Sequence, residues 1–153
     1  MVKQNDNTSK DSNGTASYIE KSDSVYSIKA PTEDKELYDT ISFIPCECET
    51  FIIEGCDNIP LESNSIYKAY KAILDFTDDV DVEEFFTVHK IVVTKSIPLN
   101  TGFRGAASNA AAFLLLVKEL CNLVLSRDEL VTIGSNVSSD VPYFIDTYLS
   151  HKV

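Results

Sequence analysis

His89-Lys90-Ile91-Val92-Val93-Thr94-Lys95-Ser96, then Ile97-Pro98-Leu99-Asn100-Thr101-Gly102-Phe103-Arg104-Gly105, then Ala106-Ala107-Ser108-Asn109-Ala110-Ala111-Ala112-Phe113-Leu114-Leu115-Leu116-Val117 form the stretch on which the fold turns. The first segment is β-branched and reads as a strand. The second, with a proline and two glycines, reads as a tight connection, and the third as a helix continuing to about Leu123. That helix is apolar nearly all round, which predicts burial on more than one side. A connection that runs into a helix start offers unpaired backbone N–H groups and the positive end of the helix dipole, a combination suited to a phosphate group. By itself the pattern is a weak signal, because many strand-loop-helix connections carry two glycines and bind nothing.

Working outward toward the N-terminus, the acidic cluster Asp75, Asp78, Asp79, Asp81, Glu83 and Glu84 lacks the ordered spacing and central glycine of a calcium loop. It reads as a solvated helix-to-helix connection. Asn64 precedes Ile66, Ala69, Tyr70 and Ile73 at helical spacing and is the expected N-cap of a helix to about Phe76. Leu37 to Pro45 and Thr50 to Glu54 read as strands, and Tyr18 to Lys29 as one edge strand at most. Residues 1–30 are otherwise Ser-, Asn-, Lys- and Asp-rich, a composition that cannot offset the entropy of ordering; they are expected to be a largely disordered polar segment ahead of a domain spanning 31–153. Toward the C-terminus, Ser126 and Glu129 form a capping box for a helix to about Val137. Pro142 suits a first helical turn, with Ser139 or Asp140 as its cap. Strands and helices interleave in an α+β pattern without internal repeats.

With 153 residues, 44% of them hydrophobic, one domain with a real core is expected. The net charge of −11 opposes a nucleic-acid or anionic-membrane surface, and no segregated basic patch relieves it. The longest apolar run is short of a membrane span and the polar first residues lack the apolar core of a signal peptide, so a cytoplasmic address is expected. Cys46, Cys48, Cys56 and Cys121 are unevenly spaced, and Cys46-Glu47-Cys48 is one residue too tight for the usual zinc knuckle; reduced thiols are expected and no metal site is assigned. His89, alone before a strand, reads as a surface or capping residue.

Four ordered blocks make the reading more particular: Val92 to Pro98, Thr101 to Ala111, Leu125 to Leu130, and Ser139 to Phe144. Together with Leu37 to Phe43 and Asn64 to Ala69, they resemble the amino-terminal domain of the 4-diphosphocytidyl-2-C-methyl-D-erythritol kinase family, a branch of the GHMP small-molecule kinases. The resemblance implies an α+β domain, a mixed sheet packed with helices. It also implies an ATP-dependent kinase acting, with Mg²⁺, on the 2-hydroxyl of a cytidylylated methylerythritol in non-mevalonate isoprenoid biosynthesis. The family loop Pro-x-x-(Ala/Gly)-Gly-Leu-Gly-Gly-Gly-Ser-Ser-(Asp/Asn)-Ala-Ala falls on this chain at Pro98, Leu99, Asn100, Thr101, Gly102, Phe103, Arg104, Gly105, Ala106, Ala107 and Ser108, followed by Asn109. Arg104 and Ala106 stand where the family has glycines, and Ala107 where it has its first serine. Asp140 matches the catalytic Asp of the family's Gly-Ala-Asp-Val-Pro motif, which implies that it accepts the substrate hydroxyl proton or orients that hydroxyl. The family's first-strand lysine and its Gly-Tyr-His segment have no counterpart here, and the half that completes the family's cleft falls outside these residues. Three readings stay open on these residues: a working or impaired kinase, a non-catalytic remnant or binding module of the same fold, and an interaction protein whose acidic surface and N-terminal segment recruit a partner that nothing in the sequence names.

Overall fold

The computed structural model describes residues 19–31, 38–56, 59–95 and 105–151. In chain order the elements are β1 (Ile19–Ser22), β2 (Val25–Pro31), β3 (Tyr38–Pro45), β4 (Ile53–Glu54), a 3-10 turn at Leu61–Ser63, α1 (Ser65–Thr77), α2 (Val80–Phe85), β5 (His89–Thr94), α3 (Gly105–Leu120), α4 (Arg127–Ser135) and α5 (Val141–His151). The five strands form one mixed sheet in the order β1-β2-β3-β5-β4, antiparallel throughout except for the parallel β4–β5 pair. The α+β fold read from the sequence is therefore the fold observed.

Strand β3 shows why the sheet has one inner face. Asp39, Ile41 and Phe43 are buried while their neighbours Thr40, Ser42 and Ile44 are only half-buried, the period of two that a pleated strand imposes. Cross-strand registers keep the apolar residues in line, with Ile28 opposite Ile41, Ile41 opposite Val93, and Phe43 opposite Ile91. Against that face lies α3, whose residues from Ala107 through Val117 are all buried. Its other sides are covered by α1, α4 and α5, so a helix without a polar face is the one the architecture requires. Edge-to-face rings fill the centre: Phe43 meets Phe86 at 5.2 Å and Phe113 at 5.7 Å between centroids.

Three segments depart from the sequence reading. Residues 19–31 form a hairpin, not one edge strand and not part of a disordered segment; residues 1–18 lie outside the described residues. Asp23 makes the reversal in the left-handed region (φ 56°), a conformation that Asp tolerates in tight turns. Ile19, Ile28 and Ala30 supply the buried contacts that compensate for an otherwise polar stretch. The strand read at Thr50 to Glu54 shrinks to Ile53–Glu54. A Cβ on the next residue, Gly55 (φ 97°), would sit 2.0 Å from the Val93 carbonyl oxygen, and this close backbone approach turns the chain away. The acidic connection is itself a short helix, α2, capped by the Asp79 side chain on the Asp81 N–H at 2.8 Å, with Val82 buried beneath it.

Candidate functional site

Three helix starts flank the region that the sequence singled out. Helix α1 begins at Asn64, which is buried and whose Oδ1 accepts from the Ile66 N–H at 2.8 Å. The next residue, Ser65, donates its hydroxyl to the Ala106 carbonyl at 2.7 Å and so ties α1 to the first turn of α3. At α3 itself, Ala106 is exposed, Ala107 is 7% exposed, and Ser108 and Asn109 are buried. The N–H groups of this first turn precede any intrahelical bond, and the 16-residue helix places its positive end there. Helix α5 starts directly after Asp140, which is half-buried, and the turn is closed by the Val141 N–H on the Ser138 carbonyl at 3.3 Å. Helix α5 packs on both α3 and α4, with Gly134 of α4 fitting under Val141 and Ile145.

Of the residues assigned from sequence, Gly105, Ala106, Ala107, Ser108 and Asp140 are thus placed at the starts of two packed helices. Pro98, Leu99, Asn100, Thr101, Gly102, Phe103 and Arg104 lie outside the described residues. Ala106 and Ala107, the two departures within α3, differ in exposure: the first is exposed and the second is buried.

A polar cluster that the sequence reading missed joins these elements. Asp39, fully buried on the inner face of β3, accepts on one carboxylate oxygen from Lys95 Nζ at 2.8 Å and from Asn109 Nδ2 at 3.1 Å. Lys95 directly follows β5, and its side chain is 28% exposed. The carboxylate gains a charge-assisted pair and an amide bond in place of water, the condition under which a buried charge is tolerated. The Asn109 Oδ1, also buried, has no hydrogen-bond partner among the described residues.

The remaining reactive groups sit elsewhere. The four cysteines are free thiols. Burial, with a hydrogen bond to Cys46, pushes the Cys48 thiol up to about 11, and burial pushes Cys121 up to about 12, helped by the nearby charges of Asp79 and Asp81. His89 stacks on Phe85 with 4.0 Å between centroids and places Nδ1 3.1 Å from the Phe85 carbonyl oxygen, a structural setting. Among the described residues no group of three His, Cys, Asp or Glu side chains could hold a metal ion, and no helix is long and apolar enough to cross a membrane. Two open surface depressions, of about 720 and 560 Å³, are lined from α2 and the end of α3 and from the outer side of α1; neither is lined by Asp140 or the start of α3.

The model of the GHMP kinases N terminal domain matches residues 64–147, a span that contains the start of α3 and Asp140. A 4-diphosphocytidyl-2-C-methyl-D-erythritol kinase from Sulfurovum sp. (strain NBC37-1) is 44% identical over 118 residues, 77% of this chain and 46% of the relative. The protein of that name from Campylobacter jejuni (strain 81116) is 32% identical over 120 residues, 78% of this chain and 47% of the relative. The chain therefore spans about half the length of the curated relatives it matches. A crystal structure of 4-(cytidine 5'-diphospho)-2C-methyl-D-erythritol kinase shares the fold with a TM-score of 0.54 at 20% identity, over 79% of this chain and 38% of that one. The Methanococcus jannaschii mevalonate kinase structure does so with a TM-score of 0.51 at 18% identity, over 76% and 39%.

Proposed function

The chain belongs to the GHMP kinases, in their N-terminal domain, and from that premise we propose that it is the nucleotide-binding part of an ATP-dependent kinase for the 2-hydroxyl of 4-diphosphocytidyl-2-C-methyl-D-erythritol, working in the cytoplasm on isoprenoid biosynthesis. The observation that carries the proposal is that the span matched to the family, residues 64–147, brings both the α3 start and Asp140 to helix starts on packed helices. The substrate is taken from the names of the relatives. No nucleic acid or membrane partner is proposed.

The residues suit the nucleotide in one respect that can be stated in atoms. The N–H groups at Gly105 to Ala107 lie ahead of the first intrahelical bond, so a triphosphate could accept from them. Mg²⁺ would enter with the triphosphate and neutralise charge as it develops; none of the described side chains is assigned to hold it. Asp140 takes or orients the proton of the attacking hydroxyl, and its half-buried place before α5 leaves it reachable from outside the core. Catalysis of this kind is mostly positioning and charge stabilisation, and small displacements of the loop ends matter for that reason.

One set of observations favours the second reading, a non-catalytic remnant or binding module. Arg104 and Ala106 put side chains where the family has two glycines, Ala107 lacks the hydroxyl of the family's serine, and Ala106 is exposed at the helix start. Phosphoryl transfer from Mg-ATP to 4-diphosphocytidyl-2-C-methyl-D-erythritol, followed for the native chain and for Asp140→Asn, separates the two. Transfer that Asp140→Asn abolishes supports the kinase; no transfer, with Mg-ATP still bound, supports the binding module.

A further inference from the structure

We infer that Asp39 is a positioning residue that fixes the start of α3 against the end of β5. Residues 96–104 connect Lys95 to Gly105, and Asp39 is bonded on both sides of that connection: to Lys95 before it at 2.8 Å and to Asn109 after it at 3.1 Å. The two bonds converge on a single carboxylate oxygen. Because β3 and β5 are paired along six positions, from Thr40 opposite Thr94 to Pro45 opposite His89, Asp39 rides on a rigid support. Ser65 makes a second tie from the opposite side through the Ala106 carbonyl.

The chemistry explains why a carboxylate occupies a core position. On packing grounds an apolar residue in phase with Ile41 and Phe43 would serve the sheet equally well, and replacing a buried ion pair with apolar groups is often neutral or stabilising. An apolar side chain, however, would give Lys95 and Asn109 nothing in common. The Asn109 amide depends on Asp39 in particular, since its Oδ1 has no partner among the described residues and its Nδ2 is held by that carboxylate. Without Asp39 the amide would be buried and unbonded, and the first turns of α3 would be free to rotate away from β5. The inference concerns the placement of this helix start; what the start binds rests on the kinase reading above.

The test is hydrogen exchange on the full chain, read as a ratio within one helix. The amides of Asn109 to Phe113 close the first turns of α3, and those of Leu114 to Val117 report its deep interior. Asp39→Ala is expected to raise exchange at the first group at least tenfold more than at the second. Asp39→Asn combined with Asn109→Asp, which exchanges the two partners and keeps one amide and one carboxylate facing each other between β3 and α3, is expected to restore the native ratio. A proportional rise along the whole of α3, or a reciprocal variant no better than Asp39→Ala, overturns the inference and leaves Asp39 with only a general part in stability. Mg-ATP titration of the same variants is the second arm. Binding by the native chain that weakens at least tenfold in Asp39→Ala and returns in the reciprocal variant extends the positioning role to the nucleotide. Absence of Mg-ATP binding by the native chain counts against the kinase reading, and the exchange ratio still decides the role of Asp39.

Discussion

At the scale of single residues, the cost of breaking the Asp39 cluster should depend strongly on which partner is removed. Lys95→Met leaves a fully buried carboxylate without its lysine partner and is expected to destabilise by about 3 to 5 kcal/mol. Asp39→Asn removes the buried charge and leaves Lys95 able to reach water, so urea unfolding should show a distinctly smaller loss; equal losses would mean that the pair is not what holds the carboxylate. This cluster was legible only in part. Asp39 shares the period-two phase of Ile41 and Phe43, which marks a charged residue at a core position, but its partners stand 56 and 70 residues further along and no local pattern joins them. The raised thiols of Cys48 and Cys121 give a second expectation, one that depends on pH. With Cys48 raised to about 11 and Cys121 to about 12, their thiolate fractions at pH 8 fall at least roughly a hundredfold below an ordinary thiol's. Iodoacetamide pulses read by mass spectrometry should find both slow in the native chain and fast in urea, with the native rates climbing as pH approaches 11. Folding favours the protonated thiols, so the stability they contribute is intact below about pH 9 and is lost as pH rises through those values.

At the scale of elements, the sequence was most informative where a helix carries its own start signal. Asn64 caps α1 and the Ser126–Glu129 capping box opens α4 with both reciprocal bonds present, 3.1 Å from the Glu129 N–H to the serine hydroxyl and 2.8 Å from the Ser126 N–H to the glutamate. Ser126→Ala should therefore cost about 1 kcal/mol in thermal or urea unfolding. The sheet edges were least legible. A hairpin whose first strand buries Ile19 alone, among Glu20, Lys21 and Ser22, has no alternation to detect, and it is β3 that gives its second strand a partner. Strand β4 was overread because Phe51 and Ile52 look like strand residues, although the Phe51 ring stacks on Tyr70 at 4.1 Å and packs into the aromatic centre outside the ladder. The α4–α5 contact depends on a glycine that no helix pattern asks for. A Cβ at Gly134 would come within 2.8 Å of both Val141 and Ile145, so Gly134→Leu should separate the helices at about 1 to 3 kcal/mol, and Gly134→Ala should cost less. Unfolding midpoints unchanged by the leucine would show that α5 is loosely seated.

At the scale of the whole molecule, Mg-ATP affinity is the quantity that connects the fold to activity. A chain with a net charge of −11 has no general attraction for a triphosphate, so affinity must come from local geometry. The start of α3 supplies that geometry through backbone N–H groups, which reach phosphate oxygens best when no side chain intervenes. Ala106 is exposed there and Arg104 stands two residues earlier in the sequence, whereas Ala107 is buried. Restoring the family residues with Arg104→Gly/Ala106→Gly/Ala107→Ser is therefore expected to tighten Mg-ATP binding in titration calorimetry, and most of the gain should remain when Ala107 is left unchanged. Changes in the acidic cluster around α2, where Asp81, Glu83 and Glu84 are exposed, should do less, because it belongs to a different surface. Asp140→Asn should leave the affinity within about twofold of native, since the role proposed for Asp140 is toward the hydroxyl and not the triphosphate. Tight binding by the native chain that is lost on Arg104→Gly would reverse the reading of that residue: its guanidinium would then be a phosphate donor taking the place of backbone N–H groups.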